Sequence, residues 1–286
     1  MKLFKELIDK GLYFLKNAII ENRKKIRISF LLLLVPMLLL ILLPFSDTGK
    51  SLLSHAVVSK SSQENLGLPL NSFAFVEVKM KQVLNICIED NDCERSIDDE
   101  IMGSSSGFFY VYKDELAVIT AAHSCTIDQA YILFLTSIGI LESFSYEISI
   151  TDFNGNKAVY SIKKIDVKKD LCLLVSKDNS NQSALAVPLK ISKIDPVIGD
   201  KVFNMSAAMG IFKPESLLFQ FSGYYSGTDD KGDSLYTVPA APGSSGSPIL
   251  NQNNEVVGVI HSTLLDFKNV SASANIKSIR NFLENK

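Results

Sequence analysis

Short apolar or alternating runs, separated by turn residues, dominate the sequence from residue 72 onward. They predict a first set of strands near 73–79, 107–112, 115–121, 130–138, 146–151, 157–165 and 171–176, and a second set near 200–205, 216–225, 234–238, 247–251 and 255–262. Residues 275–283 repeat apolar positions at helical spacing and predict a short C-terminal helix. So many short strands are typical of an all-β barrel or sandwich.

A different pattern occupies residues 28–45, where eighteen residues follow one another without a charge. This length just suffices for a helix to span a hydrocarbon core of about 30 Å. Arg23, Lys24, Lys25 and Arg27 precede the run, so the positive-inside rule predicts a cytoplasmic N-terminus and a periplasmic or extracellular remainder. We favour an uncleaved transmembrane helix over a cleaved signal peptide, because the run exceeds a usual signal core and no small-residue cleavage site follows it.

The segments on either side of this run differ in charge and composition. Residues 1–27 contain eight Lys or Arg and three Asp or Glu, and predict either an amphipathic helix on the inner membrane face or a solvated extension. Residues 46–71 lack periodicity and predict a linker, in which we assign no role to His55. Because the whole chain has a net charge of −2, the part after residue 27 carries −7, which argues against nucleic-acid binding.

Three polar residues lie where acyl-transfer chemistry would need them. His123 closely follows the predicted strand 115–121, and imidazole is the usual base for a serine hydroxyl. Asp170 precedes the apolar run 171–176, and a buried carboxylate can fix the tautomer of an imidazole. Ser245 lies between glycines, on a turn that exposes a nucleophile beside free backbone N–H groups. Asp166 is the rival carboxylate, placed second because it precedes the strand by a whole turn of chain.

These residues lie in motifs that resemble a known family. The Thr-Ala-Ala-His run ending at His123, the Asp-Leu-x-Leu-Leu run from Asp170 and the Gly-x-Ser-Gly-Ser-Pro run around Ser245 are similar to those of the trypsin-like (chymotrypsin-fold) serine proteases, in that family's order. The resemblance covers about 72–286. Within this family, the motifs look most similar to those of bacterial glutamyl-endopeptidase-like and HtrA-like proteases. We expect no PDZ domain.

The resemblance implies two six-stranded antiparallel β-barrels, about 72–185 and 186–274, followed by a helix at about 275–285. It implies that Ser245 attacks the scissile carbonyl, that His123 transfers the proton and that Asp170 orients His123. The backbone N–H groups of Gly243 and Ser245 would form the oxyanion hole. It also implies polypeptide substrates, and we expect no cofactor and no bound metal.

Primary specificity depends on the strand around Gly258. The glutamyl endopeptidases bind glutamate with a His two residues after the matching Gly, but here Ile260 occupies that place and His261 comes one residue later. A shift of one residue turns a strand side chain to the opposite face. With Ala240 as a small apolar wall, we expect a small or medium apolar residue before the cut rather than glutamate. The alternatives for His261 are a position near Asp170 or a purely structural role.

The four cysteines show no zinc spacing. Cys87 and Cys93 flank a short acidic loop and could pair outside the cell. We interpret Cys125 and Cys172 as buried packing residues, with a bridge between them left open.

Two further stretches receive no chemical role. The acidic residues within 89–100 fit no EF-hand spacing, so we expect a solvated loop rather than a calcium site. Residues 103–109 resemble the Gly-Ser-Gly-Phe turn before the catalytic His of bacterial relatives, and we interpret them as an ordinary turn.

Three functional hypotheses follow from these patterns. We favour a membrane-anchored serine endopeptidase with an N-terminal transmembrane helix and an extracytoplasmic protease domain. A catalytically silent trypsin-fold binding or scaffold protein is the first alternative. A soluble secreted protease, released from its signal segment, is the second.

Overall fold

The computed structural model describes residues 67–89, 92–127, 129–177, 185–264 and 267–284. The basic segment, the transmembrane helix and nearly all of the linker predicted for residues 1–71 lie outside these ranges. Over the part of the chain that is described, no helix has the length and apolarity needed to cross a membrane.

The described strands form two closed antiparallel barrels of six strands each, as predicted. In the first barrel the strands are ordered β1-β2-β3-β6-β5-β4. Its members are β1 (Phe73–Glu89), β2 (Asp92–Tyr112), β3 (Glu115–Thr120), β4 (Leu141–Asp152), β5 (Lys157–Asp166) and β6 (Leu171–Ser176).

The second barrel is ordered β10-β11-β12-β9-β8-β7. Its members are β7 (Lys201–Ser206), β8 (Phe219–Thr228), β9 (Ser234–Tyr236), β10 (Pro248–Leu250), β11 (Val256–Leu264) and β12 (Phe267–Asn275). A C-terminal helix, Ile276–Glu284, follows directly, and its first turn is capped where Asn275 Oδ1 accepts a hydrogen bond from the Ser278 N–H. The predicted C-terminal helix is therefore confirmed.

Three apolar clusters hold the two barrels and the helix together. One fills the first barrel around Val118 and Leu174, and another fills the second barrel around Tyr236 and Ile249. The third lies between them, where residues of both barrels pack against Ile279 and Phe282 of the C-terminal helix. Strands such as β6 are apolar on both faces because one face meets the barrel interior and the other meets this shared cluster.

The prediction of a strand at 130–138 is wrong, because Gln129–Ser137 forms a helix, here called α1. A short apolar run does not distinguish a strand from a helix by its periodicity. Leu133 and Phe134 of this helix are exposed, so the run is not the buried strand that its composition suggested.

The acidic stretch 89–100 is also not the loop that we expected. From Asp92 onward it belongs to β2, which pairs with β1 in a long hairpin whose register places Cys87 opposite Cys93. A bulge interrupts this hairpin at Met102, since Val78 pairs with Gly103 and Lys79 with Ile101. The same strand continues through residues 103–109, which therefore form an extended segment and not a turn.

Candidate active site

His123 lies just after β3, on a short 3-10 turn formed by Ala122–Ser124. Ala121 and Ala122 are buried and anchor this turn, while the imidazole of His123 is 50% exposed at its rim. The turn closes where the Cys125 N–H donates to the Ala122 carbonyl oxygen at 2.9 Å. The backbone thus presents the imidazole to solvent at the end of a buried strand.

Asp170 holds His123 at two points. One carboxylate oxygen accepts the backbone N–H of His123 at 2.9 Å, and the other lies 2.6 Å from the imidazole Nδ1. Asp170 sits immediately before β6 with φ +53°, a left-handed conformation that Asp tolerates better than most residues. The rival Asp166 instead accepts the Lys169 N–H at 3.0 Å within its own turn.

The environment of Asp170 favours its ionised form. Burial raises the pKa of the carboxyl, but the hydrogen bonds from His123 and the nearby charges of His123 and His261 lower it by more. The net result is a pKa below the ordinary value for Asp. An ionised carboxylate on Nδ1 leaves the far nitrogen of the imidazole, Nε2, free to accept a proton.

A disulfide joins Cys125 to Cys172, each two residues beyond the functional candidate that precedes it. The interpretation of these cysteines as packing residues was therefore incomplete, because both are fully buried and also covalently linked. The bond ties the turn that carries His123 to the strand that follows Asp170.

Ser245 lies in the loop between β9 and β10, on a backbone that only glycine allows on either side. Gly243 has φ +90° and Gly246 has φ +82°. A Cβ on Gly243 would collide with the Ala207 carbonyl oxygen, and a Cβ on Gly246 would collide with Thr120 Oγ1. These glycines let the loop pack tightly against its neighbours while Ser245 remains partly exposed.

The loop leaves two backbone donors available. Ser244, Gly246 and Ser247 donate their N–H groups to carbonyl oxygens within the fold. Among the residues that the structure describes, the N–H groups of Gly243 and Ser245 have no acceptor. Both belong to residues that line the same cavity, so they can bind a ligand oxygen there.

That cavity, of about 360 Å³, brings the separate elements together. It is lined by His123 from the first barrel and by Gly243 and Ser245 from the second. Met102 and Ile127 contribute apolar surface to its walls. An imidazole, a serine hydroxyl and two backbone N–H groups without acceptors thus border one open space.

The residues predicted for primary specificity lie elsewhere. Ile260 is 1% exposed in the core of the second barrel, and Ala240 packs against the same cluster. His261 stands at a bulge of β11, where it has no partner residue in the register of the neighbouring strand. Its Nε2 lies 3.6 Å from Asp233 Oδ1. None of the three lines the cavity described above, and their role in substrate binding stays a prediction.

One residue of this region was missed from the sequence. Ser106 is fully buried in β2, and it forms hydrogen bonds to the loop that carries Ser245. In the sequence, its position between two other serines and Gly107 indicated only a turn.

No group of three His, Cys, Asp or Glu side chains suited to a metal ion occurs in the described ranges.

Comparison with known protein families accounts for this arrangement. A profile of the trypsin-like peptidase domain matches residues 105–259, more than half of the chain. This chain belongs to the trypsin-like peptidase family. The part that matches this peptidase domain contains His123, Asp170 and Ser245.

Two solved structures resemble this trypsin-like peptidase, and the first of them shares its fold. A serine endoprotease from Yersinia pestis superposes with a TM-score of 0.51 at 16% sequence identity, covering 76% of this chain and 64% of that one. The chain therefore spans less than two thirds of that relative. A protein of Mycobacterium tuberculosis, solved in an inactive mutant form, gives a TM-score of 0.48 at 13% identity and covers 74% of this chain and 85% of its own. Among curated proteins no sequence matches.

Proposed function

We propose that this chain is a serine endopeptidase that hydrolyses peptide bonds through Ser245, His123 and Asp170. The observation that carries the proposal is the double hydrogen bond from His123 to Asp170, made beside the cavity that Ser245 also lines. The imidazole borders an open cavity that also holds a partly exposed serine and two free N–H donors, an arrangement that a purely structural histidine does not require.

The reaction begins when the Ser245 hydroxyl attacks the scissile carbonyl carbon. The Nε2 of His123 accepts the hydroxyl proton, and the resulting imidazolium is stabilised by the Asp170 carboxylate at its Nδ1–H. Collapse of the tetrahedral intermediate expels the amine, which takes the proton from His123. A water molecule then attacks the acyl carbon and gives a proton to His123. The bond to Ser245 breaks, the serine oxygen takes the proton back, and the carboxylic acid product leaves.

Negative charge on the carbonyl oxygen would be stabilised by the N–H groups of Gly243 and Ser245. Donors that are already oriented need no rearrangement as the charge develops. The loss of one such donor typically costs about 3–4 kcal/mol of transition-state stabilisation. The reaction uses only side chains and backbone of this chain, and the proposal requires no cofactor.

The proposal includes the location of the enzyme. We place residues 28–45 across a membrane, residues 46–71 as a linker and the peptidase domain, 72–286, on the extracytoplasmic side. The charge pattern around the apolar run supports this orientation. The Cys125–Cys172 disulfide supports it independently, because disulfides form and persist mainly in oxidising compartments.

The replacement of Ser245 by Ala tests the proposed reaction. We expect the Ser245→Ala chain to fold normally and to lose at least about 10³-fold in peptide hydrolysis, because the nucleophile is gone. Ser216→Ala, at an exposed serine of the second barrel, is the matched control and should keep the wild-type rate. Hydrolysis by Ser245→Ala at close to the control rate, or no hydrolysis by the folded wild type, would refute the assignment; the second result would favour a binding protein.

A further inference from the structure

Ser106 links the first barrel to the loop that carries the nucleophile. It lies in β2, paired with Phe75 of β1, and has no solvent exposure. Its hydrogen-bond partners in the loop are Gly243 and Ser245, the two residues with free N–H groups. No other hydroxyl in the described residues bonds to the backbone of Gly243 or Ser245.

All polar groups of Ser106 are engaged. Its N–H donates to the Ser245 carbonyl oxygen at 2.9 Å, and its hydroxyl donates to the Gly243 carbonyl oxygen at 2.8 Å. The hydroxyl oxygen also accepts the Ala207 N–H at 2.9 Å, and the Ser106 carbonyl accepts the Thr120 hydroxyl at 2.7 Å. A buried hydroxyl that both donates and accepts has a fixed orientation.

These bonds act on the carbonyl side of the two donor residues. When the carbonyl of Gly243 is held, rotation about the Gly243 backbone is restricted, and so is the direction of its N–H. This matters because glycine populates alternative backbone conformations at little cost. The preceding carbonyl, that of Pro242, is held separately by the Met209 N–H at 2.6 Å. Ser106 therefore supplies the restraint on one side of Gly243, and the Met209 N–H supplies it on the other.

We propose that Ser106 is a positioning residue that aims the N–H groups of Gly243 and Ser245 at the scissile carbonyl oxygen. The inference rests on the proposed function, because these donors matter only if Ser245 performs acyl transfer. Ser106 touches no reacting atom in this account. It acts through the backbone of the loop, and it makes oxyanion stabilisation depend on a contact between the two barrels.

The replacement of Ser106 by Ala isolates this effect. The change removes both hydroxyl bonds, leaves the backbone bonds in place, and leaves the Gly243 carbonyl and the Ala207 N–H without these partners. We expect the rate of covalent labelling by a fluorophosphonate to fall about 10–100-fold, because Ser245 displaces fluoride through a pentacoordinate phosphorus whose phosphoryl oxygen gains negative charge. The kcat for a peptide should fall similarly, with KM changed by less than about threefold.

Ser149→Ala is the matched control. Ser149 is 2% exposed in β4 of the same barrel, and its hydroxyl has no hydrogen-bond partner within the described residues. The same substitution at the same depth should therefore leave the labelling rate within about twofold of the wild type. A difference between the two variants measures the two hydroxyl bonds of Ser106, to Gly243 and Ala207, and not the loss of a buried oxygen.

Two further readouts separate positioning from a general structural effect. In a Ser245→Ala background, Ser106→Ala should not change the affinity for an uncleaved peptide, because ground-state binding does not need the oxyanion donors. The pH midpoint of labelling should also stay unchanged, because the contact between His123 and Asp170 is not altered. Ser106→Cys keeps a side chain of similar size with a weaker donor, and should label at an intermediate rate.

The experiment uses the full chain, with the fraction folded measured by thermal unfolding. If the folded wild type is not labelled at Ser245, the proposed function itself fails. If the wild type is labelled and Ser106→Ala labels within about twofold of Ser149→Ala, the positioning role is overturned. A loss of peptide affinity in the Ser245→Ala background as large as the loss in labelling rate would also overturn the positioning role. If Ser106→Ala does not fold, the rate of Ser106→Cys decides between the same outcomes.

Discussion

Each residue of the proposed triad gets its position from local backbone chemistry. His123 lies on a closed turn at the end of a buried strand. Asp170 itself adopts a left-handed conformation, immediately before another strand. Ser245 is carried between two glycines whose neighbours leave no room for a Cβ. The proposed chemistry therefore depends on three short segments, each held in place by its own local contacts.

The replacement of Asp170 by Asn tests how His123 is held. Asn has the same shape but no charge, and it can stabilise the wrong imidazole tautomer, so we expect kcat to fall by up to about 10⁴-fold. Steady-state kinetics with one peptide measures this effect. A kcat for Asp170→Asn within about tenfold of the wild type would contradict the assigned role.

The lowered pKa of Asp170 also makes a prediction about stability. A carboxyl whose pKa is lower in the folded state stabilises the fold above its ordinary value of about 4, and this contribution is lost as the pH falls through the lowered value. The free energy of unfolding of the wild type should therefore exceed that of Asp170→Asn at neutral pH and approach it in strong acid. Urea unfolding at several pH values checks this, and a constant difference would contradict it.

At the residue scale, the sequence predicted most residues of the candidate site but not Ser106, which hydrogen-bonds to the loop that carries Ser245. His123, Asp170 and Ser245 each stand in a local motif, so a few neighbouring residues identify them. Ser106 could not be found in this way, because its hydroxyl partners lie 137 and 101 residues further along the chain. A contact of that range depends on the closure of both barrels, which no local pattern encodes.

At the scale of single elements, the local hydrophobic pattern explains which strands were predicted correctly and which were not. Alternating strands such as β8 were predicted because one face is buried and the other exposed. The run at 129–137 is apolar without alternation, so helix and strand were equally compatible with it. β12 was missed because it contains Ser and Ala in place of large β-branched residues.

The disulfide makes a prediction at the level of elements. It closes a loop with a sequence separation of 47 between the turn after β3 and the start of β6. For a loop of that size, the chain-entropy relation predicts a stabilisation of about 4 kcal/mol. A Cys125→Ala, Cys172→Ala double variant should lose about 2–4 kcal/mol of unfolding free energy.

Denaturant unfolding with and without reductant provides the control. Reductant should destabilise the wild type by more than it destabilises the double variant, because only the wild type has the Cys125–Cys172 bond to lose. A wild type that is equally stable with and without reductant, with its thiols shown to be free, would contradict a stabilising bridge.

We predict that the bulge in β11 affects primary specificity. His261 stands at that bulge and faces Asp233, so a substrate carboxylate placed there would meet a negative charge that is already present. We therefore expect a peptide with Val or Leu before the cut to be cleaved about tenfold faster than one with Glu. Asp233→Asn should raise the relative rate for Glu. Glutamyl cleavage at least about tenfold faster than Val or Leu cleavage in the wild type would show that His261 is a specificity residue for glutamate.

At the scale of the whole molecule, the apolar cluster shared by both barrels explains how distant segments meet. Phe108 and Leu171 from the first barrel pack in the same cluster as Val259 from the second and Phe282 from the C-terminal helix. Burial of this surface stabilises the pairing of the barrels. The cavity that joins His123 to Ser245 therefore depends on the barrel contact and on neither barrel alone.

The proposed membrane anchor belongs to this scale too. We expect the full chain to stay with membranes after an alkaline carbonate wash, because a run of eighteen uncharged residues holds it there. A chain that begins at residue 65 should be released under the same conditions. Recovery of the full chain in the soluble fraction, or a mature N-terminus located after residue 45, would contradict the anchor and favour a secreted enzyme.

Covalent trapping of the nucleophile tests the central claim most directly. The full chain is treated with a fluorophosphonate probe, and the adduct is located by peptide mass spectrometry, with Ser245→Ala and His123→Ala treated in parallel. We expect one adduct, on Ser245, which is absent in the first variant and forms much more slowly in the second. A folded chain that forms no adduct, or an adduct on a different residue, would contradict the assignment of Ser245 as the nucleophile.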